Sequence, residues 1–281
     1  RNAQAPAGVP ASSGRFEEVV FLPKLGLRYD FNESSAVGYT YSRGFRNGGV
    51  DVDLGAALAG GTVVATAAFG PEFIDQHEIY ARTSLFDDRL NLSVAGFYYV
   101  WDDAQVPGAS NVIDSSGVRL FGNVPKAIGF GGELAASFEP TPSWRITGAL
   151  GLLETEIKDG GANLANLEGG ELPRAPNITA SAAVTWMPID GLDGTVSVRH
   201  VGSTASSLGQ AELDSYTVVD LTAGYEFSVH QTDLRLDAFV TNVNNARFET
   251  FREQISPIFG GGNLSAAGRP RTFGVAVTAN F

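Results

Sequence analysis

The chain ends in the stretch Arg271-Thr272-Phe273-Gly274-Val275-Ala276-Val277-Thr278-Ala279-Asn280-Phe281. Side chains of a β-strand alternate between its two faces, so one face of this stretch is apolar and the other carries small and polar residues. The apolar face continues to the last residue, whereas the final residues of soluble domains usually fray into water. The stretch therefore predicts a strand whose apolar face is not that of an ordinary soluble domain. The apolar residues are Phe273, Val275, Val277, Ala279 and Phe281.

The same alternation recurs upstream and predicts eleven strands in all. Their connections alternate strictly between short and long, with the short ones at 32–35, 86–89, 139–143, 189–193 and 228–232. Transmembrane barrels have short periplasmic turns and long external loops, whereas both ends of a soluble sandwich face the same solvent. The pattern indicates a membrane barrel with its long loops outside the cell. The predicted strands are 24–31, 37–41, 79–85, 90–101, 127–138, 144–152, 177–186, 195–199, 218–227, 234–241 and 272–281.

Composition narrows the function class. The chain has 18 Phe, 8 Tyr and 3 Trp beside only 18% charged residues, which is typical of strands with aromatic girdles at the membrane interfaces. No cysteine is present, so a disulfide framework and a cysteine-ligated metal site are excluded. The net charge of −12 argues against a nucleic-acid partner. No apolar run reaches the roughly 20 residues of a transmembrane helix, so membrane entry requires a closed barrel.

Several motifs, taken together and in order, resemble the carboxy-terminal half of TonB-dependent outer-membrane receptors. The resemblance covers about residues 20–281. The motifs are Leu22-Pro23-Lys24-Leu25-Gly26-Leu27-Arg28-Tyr29, Tyr41-Ser42-Arg43-Gly44-Phe45-Arg46, Pro71-Glu72, His77-Glu78-Ile79, Phe97-Tyr98-Tyr99, Gly132-Glu133-Leu134, Leu172-Pro173-Arg174-Ala175-Pro176, Asn242-Val243-Asn244-Asn245 and Gly268-Arg269-Pro270-Arg271-Thr272-Phe273-Gly274.

The resemblance implies an all-β fold, an antiparallel transmembrane barrel of which about eleven strands of a probable twenty-two lie in this sequence. It implies residues 1–22 as a lead-in and residues 23–281 as the carboxy-terminal part of the barrel, with the plug domain and the TonB-binding segment absent from these residues. The implied activity is TonB-driven uptake of a scarce nutrient such as a siderophore–iron complex, a vitamin or an oligosaccharide.

The resemblance also implies partners and a location. The partners are the remaining barrel strands and the plug domain, the TonB–ExbB–ExbD complex, the barrel assembly machinery, and lipid with lipopolysaccharide. The implied location is the bacterial outer membrane, with extracellular long loops and a periplasmic carboxy terminus. The apolar face of the last strand, ending at Phe281, is similar to the family's signal for barrel assembly.

A passive pore or purely structural barrel made from these residues, with 16–20 as a twelfth strand, is the alternative function. Strand parity bears on it, because an odd number of strands sends the first and the last in the same direction. Closing eleven strands would force a parallel seam, which bacterial barrels do not have. We therefore predict an open arc whose edge strands, 24–31 and 272–281, pair with strands from outside this sequence.

The polar faces of the predicted strands carry charges of both signs. These charges can contact a ligand or a plug, or they can form an ion-pair network along the wall, and the network is favoured because barrel interiors are polar in any case. No substrate-binding residue can be singled out. The residues are Arg28, Arg43, Glu78, Arg82, Glu133, Arg145, Arg199, Asp220, Glu226, Arg235 and Asp237.

Other candidate sites fail on geometry. Alternation sends His77 and Glu78 to opposite faces, so they cannot share a metal. The acidic runs 51–53 and 102–103 lack the ligand spacing of an EF-hand and are interpreted as solvated loop acids. The sequence has neither a phosphate-binding loop nor a nucleophile elbow. We expect no enzyme, no cofactor and no metal site.

Overall fold

The computed structural model describes residues 19–52, 66–112, 120–209, 212–230, 232–254 and 262–280. No helix in this described part is long and apolar enough to cross a membrane. Besides the strands it contains a short helix, α1 (Gly161–Leu164), and a 3₁₀ turn (Ala165–Leu167). In chain order the strands are β1 (Lys24–Asn32), β2 (Ser35–Arg46), β3 (Gly49–Val52), β4 (Thr66–Phe69), β5 (Glu72–Leu85), β6 (Leu90–Val106), β7 (Gly122–Thr141), β8 (Trp144–Asp159), β9 (Ile178–Ile189), β10 (Leu192–Val201), β11 (Thr204–Ala205), β12 (Glu212–Leu213), β13 (Tyr216–Val229), β14 (Thr232–Thr241), β15 (Glu249–Gln254), β16 (Asn263–Ala267) and β17 (Thr272–Asn280).

Eleven of these strands form one antiparallel sheet in the order β1-β2-β5-β6-β7-β8-β9-β10-β13-β14-β17. The predicted eleven-stranded antiparallel architecture is confirmed. The five short turns join neighbouring strands at one end of the sheet, as predicted. The long connections leave from the opposite end, which we call the loop end, and three of them contain two-stranded hairpins: β3–β4, β11–β12 and β15–β16.

The sheet register separates apolar and polar side chains onto two faces. Residues that are paired across strands lie on the same face, and Leu27 pairs with Tyr39, which pairs with Ile79. The face containing these residues, the apolar face, continues across the sheet to Val275 of β17. Leu27 is 62% exposed and Val275 is 70% exposed, so no part of the described chain covers this face. The other face is the polar face.

The apolar face has the height of a bilayer core. On β6 it runs from Leu90 to Val100, ten residues on, which is about 33 Å along a strand and about 25 Å after a typical barrel tilt. An aromatic pair lies at the short-turn end of this face, where Trp144 and Trp186 stack with ring centroids 6.0 Å apart. An interfacial girdle would place aromatic rings at this position.

Several predicted strand boundaries are wrong at the loop end. The predicted connections 46–76 and 102–126 contain further strand, because β5 already begins at Glu72, β6 runs to Val106 and β7 begins at Gly122. Likewise β8 continues to Asp159, beyond the predicted end at residue 152. Alternation fails as a signal there because the long loops cover parts of both faces of these extensions, and the consecutive residues Ala104, Gln105 and Val106 are all buried.

The two edges of the sheet are β1 and β17. Ten successive antiparallel pairings separate them, so the two strands run in the same direction. Within the part of the chain that the structure describes, no ladder joins them, as the open-arc prediction requires. Of the suggested extra strand 16–20, Val19 and Val20 are not in a strand and 16–18 lie outside the described residues.

The buried apolar residues concentrate at the loop end rather than within the sheet. There the extensions of β6, β7 and β8 pack against α1 and the following loop, and Ile157 and Leu164 are almost completely buried. Trp101 and Leu208 pack around the cluster. We call this cluster the loop core; its members are Ala104, Val106, Ala109, Val124, Ala127, Ile157, Leu164 and Leu172.

Candidate functional site

The polar face is the candidate site, because it is the wall that a barrel turns toward its interior. The register places ten of the eleven predicted charged residues on it. Glu78 pairs with Phe97 and Arg199 with Ser181, for example, and each pair lies on that face. The ten are Arg28, Glu78, Arg82, Glu133, Arg145, Arg199, Asp220, Glu226, Arg235 and Asp237.

Arg43 is the exception, and its predicted place on the polar face is wrong. It shares the parity of Tyr41 on β2, so it lies on the apolar face near the loop end. Its guanidinium lies 3.8 Å from Asp75 and 4.8 Å from the centre of the Phe73 ring, and the Tyr41 hydroxyl donates to Asp75 at 2.6 Å. Above the apolar band a charge can lie on either face, so charge alone did not indicate the interior.

The predicted ion-pair network forms in part. Arg235 bridges two strands by donating to Asp193 at 2.8 Å and to Asp237 at 2.9 Å. Arg145 donates to Glu139 and Arg28 to Asp30, each at 2.7 Å.

Other charges of the polar face have no salt bridge within the described residues. Glu78, Glu133, Arg199 and Glu226 belong to this set. Glu133 and Arg199 lie at the rim of a depression of about 480 Å³ whose floor is built from small residues of β6 to β9. The polar face therefore combines an ion-paired region around Arg235 with charges that have no salt-bridge partner within the described residues.

The histidine and acidic candidates are placed apart. His77 lies on the apolar face, with its Nδ1 atom 2.8 Å from the Tyr39 hydroxyl, and Glu78 lies on the polar face, as alternation predicted. Asp51 accepts the amide of Phe121 at 2.8 Å, and residue 53 lies outside the described chain. The described ranges contain no group of three or more histidines and carboxylates that could hold a metal.

Sequence reasoning missed a buried cluster of polar contacts at the loop end. The Glu72 carboxylate accepts from the Gln105 amide at 2.6 Å and from Arg46 at 2.8 Å. The Gln105 side chain in turn donates to the carbonyls of Asn47 at 2.8 Å and Gly70 at 3.0 Å. This cluster joins the base of the β3–β4 hairpin to β6. In the sequence, the Pro71-Glu72 motif marks one member of the cluster. Gln105 lies 33 residues away, so the sequence alone does not show that it contacts Glu72.

Two motif residues, Arg174 and Asn242, hold other loops in place through hydrogen bonds to the backbone. Arg174, at φ 60°, donates its amide to Ala205 and its side chain to Ser206, and its guanidinium lies 5.7 Å from the Phe251 ring centre. Asn242 is 1% exposed at φ 53°, and its amide group donates to the carbonyls of Ala246 and Arg269, both at 2.9 Å. Asn242 is of a residue type that tolerates positive φ, and both residues donate to backbone carbonyls of neighbouring loops.

The predicted assembly residues lie at the β17 edge. Phe273, Val275, Val277 and Ala279 share the apolar face, because they pair with Val240, Ala238, Leu236 and Leu234. Phe273 is 79% exposed. Phe281, the last member of the predicted set, lies outside the described residues.

Comparison with known proteins agrees with this architecture. The family model described as "TonB dependent receptor-like, beta-barrel" matches residues 2–243. The metal-pseudopaline receptor CntO of Pseudomonas aeruginosa is 26% identical over 96% of this chain and 36% of its own length.

Solved receptors share the fold. The ferric yersiniabactin uptake receptor FyuA from Yersinia pestis superposes with a TM-score of 0.71 and 18% identity, over 92% of this chain and 37% of the receptor. BauA, the ferric preacinetobactin receptor from Acinetobacter baumannii, gives 0.68 and 17% over 92% and 36%.

The chain spans about a third of the length of these relatives. Members of the matched family are outer-membrane β-barrel receptors that carry a plug domain and work with TonB, and the relatives are transport receptors rather than enzymes. The matched family model covers well over half of the chain, and the eleven-stranded antiparallel sheet agrees with a part of the β-barrel that the model describes. The chain belongs to the TonB-dependent receptor family, as a part of its β-barrel domain.

Proposed function

We propose that residues 23–281 form the carboxy-terminal part of the barrel of an outer-membrane transporter that takes up a scarce nutrient with energy from TonB. A metal–siderophore complex is the favoured cargo among the candidate nutrients, since the relatives include receptors for metal-pseudopaline and ferric yersiniabactin. The observation that carries the proposal is the sheet itself. Its apolar face matches a bilayer core and its unpaired edge strands run in the same direction.

The open edges support a particular division of the barrel. Unpaired backbone groups at lipid depth each cost several kcal/mol, so β1 and β17 need partners in the membrane. Because both edges run the same way, an antiparallel closure requires an odd number of added strands, and eleven more give twenty-two. A plug domain then fills the interior against the polar face, with the TonB–ExbB–ExbD complex, the assembly machinery and lipopolysaccharide as the further partners.

The proposed orientation places the loop end outside the cell. The long connections, with their hairpins and the loop core, then face incoming solute, and the short turns face the periplasm together with the carboxy terminus.

Uptake measurements on the whole receptor test the proposal. Cells that express the receptor are expected to accumulate radiolabelled ferric chelates only when TonB is present. Equal accumulation with and without TonB would instead support the passive pore. A receptor variant that lacks its plug, which is expected to leak without TonB, serves as the control for an open barrel.

We also propose that the apolar face of β17, with Phe281 at its end, is the segment read by the assembly machinery. Phe281→Ser is expected to lower the outer-membrane yield several-fold. Thr278→Ser on the opposite face is the matched control and is expected to leave the yield unchanged. Normal yield of the Phe281 variant would contradict the assignment.

A further inference from the structure

Two aromatic rings of β6 lie side by side on the polar face. Phe97 and Tyr99 have nearly parallel rings, 9° apart, with centroids separated by 6.4 Å. Trp101 continues the row toward the loop end, with its ring plane 77° from that of Tyr99 and the two centroids 6.3 Å apart. Between Phe97 and Tyr99 the intervening residue, Tyr98, points to the apolar face. We call Phe97 and Tyr99 the aromatic pair.

Glycines of the neighbouring strand create the space for this arrangement. Gly129 and Gly131 of β7 are the registered partners of Tyr99 and Phe97. A Cβ atom at Gly129 would lie 2.1 Å from the Tyr99 ring, and one at Gly131 would lie 2.8 Å from the Phe97 ring. Both rings therefore lie over the glycine backbone of β7. Because each ring packs against a glycine of the same strand, the two rings are parallel.

Polar groups adjoin the pair on its other side. Gln76 and Glu78 of β5 are registered opposite Tyr99 and Phe97. Within the described residues neither side chain forms a hydrogen bond or an ion pair. An aromatic floor beside an uncommitted carboxylate and amide suits a planar ring that carries hydrogen-bond donors, since ring faces attract planar and cationic groups while Glu78 accepts a proton donor.

The position favours a solute. Five residues beyond Tyr99, β6 enters the loop core at Ala104, so the pair lies directly below the loop end. We propose that the aromatic pair, with Gln76 and Glu78, binds a planar aromatic ring bearing hydrogen-bond donors on a solute that passes the wall. This inference rests on the proposed uptake function, and it names the chemical class of one part of the cargo.

Binding of 9-aminoacridine to the full receptor in lipid nanodiscs tests the site, because this fluorescent probe is planar, cationic and an amine donor. We expect Tyr99→Ala and Phe97→Ala each to weaken binding by about threefold to tenfold, the range of a single aromatic contact. Tyr98→Ala removes an aromatic ring of the opposite face and is expected to leave binding unchanged. Adamantylamine, a cation without a planar ring, is expected not to compete.

Gly129→Ala tests whether binding depends on the position of the Tyr99 ring as well as on its presence. It keeps every aromatic side chain but forces the Tyr99 ring away, so it is expected to weaken probe binding as Tyr99→Ala does. Gly96→Ala is the matched control, because its Cβ meets Ile79 at an ordinary 3.8 Å. Unchanged thermal unfolding shows that the variants are folded.

Three outcomes would overturn the inference: no probe binding to the receptor, equal loss in the Tyr98 variant, or full binding by the Gly129 variant. Binding that appears only after the plug is removed would assign the pair to a plug contact instead. TonB-dependent uptake, measured separately, tells these failures from a failure of the proposed function.

Discussion

The sheet and the loop core use apolar residues in opposite ways. In the sheet, large hydrophobic side chains point outward, and Phe273 and Leu27 are mostly exposed. In the loop core, Val124 and Ile157 are at most 1% exposed. Burial from water stabilises the loop core, whereas lipid tails, which are as apolar as leucine, cover the sheet face. One chain therefore meets two environments, water and lipid, and the boundary between them crosses β6, β7 and β8.

Replacing one isoleucine in each region is expected to give the largest difference. Ile157→Ala should destabilise the loop core by about 2–5 kcal/mol, because a cavity remains among fully packed neighbours. Ile79→Ala, at a position 60% exposed on the apolar face, should cost only about 1–2 kcal/mol, since lipid fills the space and the lost transfer free energy of the removed methyl and methylene groups is the remaining term. Hydrogen exchange of the loop-end amides in the lipid-embedded receptor measures the first effect and thermal unfolding the second. Equal effects would erase the distinction between the two regions.

The same boundary explains what the sequence could predict. Alternation identified the eleven strands because lipid on one side and a polar interior on the other impose a strict period of two, as in the final strand with Val275 and Val277. Beyond the apolar band the period disappears. At the end of β6 the consecutive residues Ala104, Gln105 and Val106 are all buried, so no alternation of polar and apolar residues marks the strand there.

The site depended on contacts that alternation does not encode. The faces of ten charged residues follow from their parity, whereas Arg43 shares the parity of Tyr41 and lies on the apolar face, so charge alone does not identify an interior residue. The Glu72–Gln105 contact joins residues 33 apart. The aromatic pair also required the register between β6 and β7, which alone aligns Tyr99 with Gly129.

A charge placed on each face of one strand sharpens the comparison within the sheet. Val196→Arg puts a guanidinium on the apolar face near mid-strand and is expected to cost about 2–4 kcal/mol. Ser197→Arg, one residue along, faces the polar interior and should cost less than about 1 kcal/mol. Unfolding by guanidinium chloride in lipid vesicles measures the free energy of unfolding of both variants. If Ser197→Arg proved as costly as Val196→Arg, the assignment of the faces would be wrong.

Two asparagines of one motif hold loops through side-chain hydrogen bonds, one from a buried position and one from an exposed position. Asn242→Ala leaves the Ala246 amide and two carbonyls without their partner in a buried place, so we expect a cost of about 1–3 kcal/mol. Asn244 holds Val219 and Thr217 from an exposed position, where water can replace it, and Asn244→Ala should cost under about 1 kcal/mol. Protease cleavage within 248–270 reports the difference. Equal cleavage of both variants would show that burial does not decide the strength of these contacts.

The smallest effect is expected at the short-turn end, where the ion pair between Arg145 and Glu139 is about half exposed on both sides. An exposed pair contributes about 0.2–1 kcal/mol, because water screens the charges and two long side chains lose freedom. Arg145→Gln should lower stability by that amount at low salt. At about 1 M salt the Debye length falls to about 3 Å, and the difference from the unmodified receptor should vanish.

The Arg46–Glu72 pair at the loop end provides the contrast, since its carboxylate side chain is only 10% exposed and also accepts the backbone amide of Gln105. Arg46→Gln is expected to keep most of its cost at high salt, and thermal unfolding of the two variants across a salt series measures both. A salt-independent loss at Arg145, or a loss at Arg46 that salt removes, would place the boundary between the two regions elsewhere.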